Sequence, residues 1–86
     1  MERNETEQIL AQIMKKRSGI DFMKEKLLQD EKLLGHKIRM TARELLYAYL
    51  DIENAFEIKI PEIAITDGNF DTFSNMLHIV TEQLPQ

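Results

Sequence analysis

Residues 41–61 read Thr41-Ala42-Arg43-Glu44-Leu45-Leu46-Tyr47-Ala48-Tyr49-Leu50-Asp51-Ile52-Glu53-Asn54-Ala55-Phe56-Glu57-Ile58-Lys59-Ile60-Pro61, and this stretch decides the fold class. The Thr41 hydroxyl can accept from the Glu44 backbone N–H while the Glu44 carboxylate reaches back, a capping box that starts a helix. Ala42, Leu45, Tyr49, Ile52 and Phe56 then recur at spacings of 3, 4, 3 and 4, which makes one apolar seam. Arg43, Tyr47, Leu50, Asp51 and Asn54 fall on the opposite side. After Phe56 the alternation Glu57-Ile58-Lys59-Ile60 permits a short strand. Pro61 stops it, because proline has no N–H for a ladder.

Upstream, a first helix is predicted from about Thr6 to Arg17. Ile9, Leu10, Ile13 and Met14 form its stripe, and Asn4 is a plausible N-cap. Glu5 and Glu7 fall in the first turn and Lys15, Lys16 and Arg17 in the last, both favourable to the helix dipole. Gly19 stands where a helix stop is expected. Residues 20–40 spread Ile20, Phe22, Met23, Leu27, Leu28, Leu33 and Leu34 among charges, which reads as one or two short helical turns in a long connection broken at Gly35. Downstream, Ile63 and Ile65 are expected to plug back into the core, and Asp67-Gly68-Asn69 is turn chemistry. A last helix is predicted to start near Phe70, capped by Asn69 or Asp71, with Phe73, Met76, Leu77 and Val80 on its stripe, ending before Pro85. Three main helices plus short helical turns give an all-α class, a small helical bundle, in a single domain over 1–86 with its core at about 5–84.

Composition agrees with that reading. The chain has 86 residues, 43% hydrophobic and 30% charged, so a folded globule is expected over wholesale disorder. A chain this short buries roughly 60–65% of the surface its unfolded form exposes, and its core is thin. Without cysteine there is no disulfide framework, thiolate zinc site or cysteine nucleophile. No apolar run approaches the roughly 18–20 residues of a membrane span. The segment Met1-Glu2-Arg3-Asn4-Glu5-Thr6-Glu7 lacks the apolar stretch of a secretion signal, and a soluble cytoplasmic protein is expected.

The net charge of −4 disfavours nonspecific nucleic-acid binding, which depends on neutralising phosphates. The charge is uneven. Residues 1–34 balance, whereas residues 41–86 set Arg43 and Lys59 against Glu44, Asp51, Glu53, Glu57, Glu62, Asp67, Asp71 and Glu82. Such a half suits a partner with a basic face, or serves as a solvated surface that keeps the protein soluble.

Catalytic constellations fail on inspection. Ser18 and Ser74 have no histidine at a motif spacing, and His36 and His78 are isolated. No His-x-x-x-His spacing supports a metal site. Glu53 and Glu57 sit at i, i+4, where paired carboxylates are usually solvated, and Gly19, Gly35 and Gly68 make no phosphate-cradling loop. Met14, Met23, Met40 and Met76 read as gap-fillers of a small core. The reading is therefore not an enzyme, with no catalytic residue, metal or cofactor. What stands out is Tyr47 and Leu50 among charges on the outward side of the central helix, which suits a transient docking face.

Residues 44–61 also resemble the second helix and following loop of an acyl carrier protein. Ile52, Glu53, Phe56, Ile58, Ile60 and Pro61 match the family's apolar position, acid, Phe and Ile-x-Ile-Pro step. Leu33-Leu34-Gly35 resembles the Leu-Gly before the family's prosthetic-group site, and Asn69-Phe70-Asp71-Thr72-Phe73 is similar to the capped start of its final helix. The resemblance implies an acyl-carrier-like helical bundle. The family works through a serine in Asp-Ser-Leu, esterified to 4′-phosphopantetheine. Here that position falls near Ala42, and no serine occurs between Ser18 and Ser74. Alanine has no oxygen to form the ester. Thr41 is the only nearby hydroxyl, and it is already explained as a helix cap. The run from Leu33-Leu34-Gly35-His36-Lys37-Ile38 through Ala42-Arg43-Glu44-Leu45-Leu46-Tyr47 to Phe56 is similar to a narrower group. These are the acyl carrier-related proteins found with peptide maturation systems, bacterial cassettes that modify a ribosomally made peptide.

The expectation is a non-enzymatic accessory protein without a prosthetic arm. It would dock onto a modifying or biosynthetic enzyme with a basic face through Arg43, Tyr47, Leu50, Asp51 and Asn54. The resemblance also implies a precursor peptide as partner; neither nucleic acid nor membrane is expected. The alternative is a working acyl or peptidyl carrier modified at Thr41 or Ser18.

Overall fold

A computed structural model describes residues 3–66, 68 and 70–84. The chain is all-helical in these residues: α1 spans Arg3–Ser18, α2 Ala42–Phe56, α3 Glu62–Thr66 and α4 Phe73–Gln83, with a 3-10 turn at Lys26–Asp30. This is a small helical bundle of three sizeable helices and two short ones among the described residues. No helix there is long and apolar enough to cross a membrane. The buried side chains of α1, α2, α3, α4 and the long connection form one cluster. The helices therefore share a single core.

α1 begins earlier than its stripe suggests. Asn4 lies inside the helix and is not its cap. Leu10 and Met14 are fully buried and Ile9 and Ile13 pack against them, as the stripe requires. Gly19 ends the helix in the left-handed region (φ 77°), with its N–H donating to the Lys15 carbonyl at 2.8 Å. The long connection is a packed layer. Phe22 and Leu33 are completely buried, and the Phe22 ring stacks on Phe73 of α4 at 4.8 Å between centroids and 11° between planes. Leu33 N–H donates to the Asp71 carbonyl at 2.8 Å, and Met40 N–H to the Leu33 carbonyl at 2.9 Å. The first bond ties the connection to the segment before α4, and the second closes the connection on itself. Met14, Met40 and Met76 are buried, and Met23 packs against the core.

α2 starts at its capping box. Its buried seam is Ala48, Ile52 and Phe56, with Leu45 and Tyr49 half-buried, whereas Ala42 is exposed. The helix stops at Glu57, a non-glycine residue in the left-handed region (φ 54°), which costs an L-residue about 1–2 kcal/mol. Residues 57–60 form no strand. Ile60 N–H donates to the Glu53 carboxylate at 2.9 Å instead of to a ladder.

Two further expectations are corrected. In α3 the core contact is Ala64, while Ile63 and Ile65 are exposed, because a single helical turn can direct only one side inward. α4 starts at Phe73 and not at Phe70. Its cap is Thr72, whose Oγ1 accepts from Asn75 N at 3.1 Å. Asp71 does not cap, because its carboxylate is held by Lys32 and by Asn75 Nδ2. Phe70 reaches the core from the preceding loop. Asp67 and Asn69, read as turn and cap residues, lie outside the described residues.

Candidate functional site

α2 presents three surfaces: its head, an outward face, and a side that borders a groove. At the head, Thr41 Oγ1 accepts from Glu44 N at 3.1 Å and Glu44 Oε1 accepts from Thr41 N at 2.9 Å. Ala42 follows, exposed, with only a methyl side chain. Ser18, at the end of α1, donates from Oγ to the Met14 carbonyl at 2.6 Å and accepts from Ile20 N at 3.1 Å. Both hydroxyls are thus engaged with the backbone.

The outward face carries Arg43 and Asn54, both exposed, and Tyr47 and Leu50, 44% and 45% exposed. Asp51 belongs to this face by sequence but is turned to another task. Its Oδ2 accepts from Arg17 Nε at 2.7 Å, joining α1 to α2. The Arg17 guanidinium also lies 5.2 Å from the Tyr47 ring centroid, a cation–π distance. The hydrogen bond with Arg17, more than the charge attraction, holds the Asp51 carboxyl below its ordinary range. The same bond holds the Arg17 guanidinium above its own.

On the side toward α3, Ala42, Leu45, Leu46 and Tyr49 line a half-open groove of about 500 Å³, and Leu34, Ile65, Phe70, Lys32, Gly68 and Asp71 complete its lining. Tyr49 and Phe70 meet edge to face, with centroids 6.0 Å apart. Burial first, then the carboxylates of Glu53 and Glu62, raise the Tyr49 phenol above its ordinary value. Lys32 pairs with Asp71, and this bond is the main reason the Asp71 carboxyl is depressed. Sequence reasoning placed Leu45 and Tyr49 in the core seam and missed the groove. The available signal was Leu46, which widens the stripe beside Leu45 beyond what a single seam needs.

A smaller hollow of about 390 Å³ lies between α3 and α4, beside His78 and Ile79. There His78 Nε2 is 3.1 Å from Glu82 Oε1, an exposed pair. Among the described residues no three histidine, aspartate or glutamate side chains converge as a metal site. The outward face and the groove each combine apolar with charged side chains. No family model, curated protein or solved structure matches the chain.

Proposed function

We propose that the chain is a non-enzymatic interaction protein, an acyl carrier-related accessory module that lacks a phosphopantetheine attachment serine. It docks onto an enzyme of a peptide maturation or biosynthetic cassette through the outward face of α2. The observation that carries this reading is the half-exposed pair Tyr47 and Leu50, flanked by the exposed polar side chains of Arg43 and Asn54. An aromatic and an aliphatic group ringed by polar neighbours can supply a desolvated centre inside a polar rim. The acids of the second half supply long-range attraction to a basic partner face. Arg17 supports the face from beneath by fixing Asp51 and covering part of Tyr47, so fewer rotamers are lost on docking. The exposed methyl of Ala42 at the head of α2 supports the absence of an arm, since it offers no oxygen for a phosphodiester.

Calorimetric titration of the cassette's modifying enzyme tests the face. Leu50→Asp should weaken binding about tenfold or more, the loss of an anchor worth roughly 1–2 kcal/mol, while leaving the unfolding midpoint in place. Unchanged affinity removes the proposal. Intact-mass measurement after incubation with coenzyme A and a phosphopantetheinyl transferase should show an unmodified chain. A gain of one arm on Thr41 or Ser18 would replace the accessory reading with a carrier.

A further inference from the structure

We propose that the outward face of α2 pairs with the same face of a second copy of this chain, the two helices running antiparallel about a two-fold axis at Leu50. The inference uses the face assigned above to enzyme docking but does not rest on that docking; it supplies what covers Tyr47 and Leu50 when no enzyme is bound. Arg43, Tyr47, Leu50, Asn54 and Glu57 follow one another at spacings of 4, 3, 4 and 3, and all five are exposed. At 3.6 residues per turn such a row stays within about 80° of one side of the helix. It reads cation, aromatic, aliphatic, amide, carboxylate. Arg43 and Glu57 lie seven residues before and after Leu50, and Tyr47 and Asn54 three before and four after. Reversed, the row therefore fits itself: Arg43 meets Glu57 of the second copy, Tyr47 meets Asn54, and the two Leu50 side chains meet at the axis. A parallel arrangement would set Arg43 on Arg43 and Glu57 on Glu57, like charge on like. The antiparallel contact is isologous, so it closes at two copies.

The charges at the two ends run against their own helix. Arg43 is the second residue of α2, where the positive end of the helix dipole disfavours a cation. Glu57 caps the other end, where the negative end disfavours a carboxylate. Glu57 also holds a left-handed backbone at φ 54°, a conformation that glycine adopts freely. Among the described residues neither side chain has a hydrogen bond or ion pair within the chain. Nothing in the isolated chain repays either choice. An antiparallel α2 repays both, because it brings a negative helix end and a carboxylate to Arg43 and a positive helix end and a guanidinium to Glu57.

The test is sedimentation velocity of the full chain from about 5 μM to about 1 mM at about 0.15 M salt, where repulsion between two copies of charge −4 is screened beyond roughly 8 Å. One helix pair is a small contact, so the dimer should be weak, with a Kd on the order of 100 μM. Arg43→Glu and Glu57→Arg should each weaken it about tenfold, and the two together should restore it to within about twofold. Glu57→Arg makes the chain less negative, so general repulsion predicts tighter association where the pairing predicts weaker. Glu57→Gly should also weaken the dimer about tenfold while raising the thermal midpoint measured at the lowest concentration, which a purely structural carboxylate would not do. Leu50→Asp should abolish association, and Ile65→Lys in the groove should leave it unchanged. The proposal is overturned if the chain stays monomeric throughout, if the double swap fails to restore pairing, or if Ile65→Lys removes the dimer, since the groove is then the contact. A monomer leaves the outward face open to an enzyme, so this failure is distinct from failure of the docking reading.

Discussion

Arg17 serves two neighbours at once, donating to Asp51 and covering the Tyr47 ring. The consequence for stability has a definite sign. The Asp51 and Asp71 carboxyls are both depressed in the folded state, mainly by hydrogen bonds from Arg17 and Lys32. A depressed carboxyl contributes stability that is present above its unfolded value and lost as pH falls through the folded one. Urea midpoints should therefore hold at neutral pH and fall below about pH 4, the ordinary aspartate range. Asp51→Asn should lower the neutral plateau and flatten that acid limb. An unaltered limb in Asp51→Asn and Asp71→Asn alike would show that neither pair matters. The role of Asp51 was not legible in the sequence. Its partner lies 34 positions away, and helical spacing alone places an aspartate on a face without saying what it meets. Tyr47 and Leu50 were legible as exposed because they fall opposite the seam.

The ends of helices divide into those set locally and those set by distant parts of the chain. The start of α2 is local. Both bonds of its capping box lie within four residues, and the sequence specified them completely. Thr41→Ala should lower stability by about 0.5–2 kcal/mol in urea unfolding, the usual loss for a helix cap. The start of α4 is not local. Phe70 fits the apolar period and Asp71 is a good cap residue, yet Lys32 from the long connection engages Asp71 and the cap passes to Thr72. α3 shows the same limit. Ile63 and Ile65 are more hydrophobic than Ala64, but a turn held between Pro61 and the following loop directs the smaller residue inward. That inversion is what leaves Ile65 to line the groove.

Across the whole molecule, the feature least visible beforehand is the ordered layer made by residues 20–40. Charges are interspersed there without a period, so no pattern announces that Phe22 and Leu33 are as buried as the helix cores. Phe22→Ala should cost about 3–5 kcal/mol, since it removes a fully enclosed ring and its stack on Phe73. A domain of 86 residues has a net stability of about 4–13 kcal/mol. The variant should therefore show a sharply lowered melting midpoint by circular dichroism, whereas an unshifted melt would mean the connection contributes nothing to the core. The bundle class and its three main helices were legible because each helix carries its own apolar stripe. The groove was not, because it exists only where α2, α3 and two loops meet. The chain has no tryptophan and two tyrosines, both on α2, Tyr47 on the outward face and Tyr49 in the groove. Each surface thus carries its own intrinsic chromophore. Ultraviolet emission from single-tyrosine versions can report which side of the helix has been covered, with no dye attached.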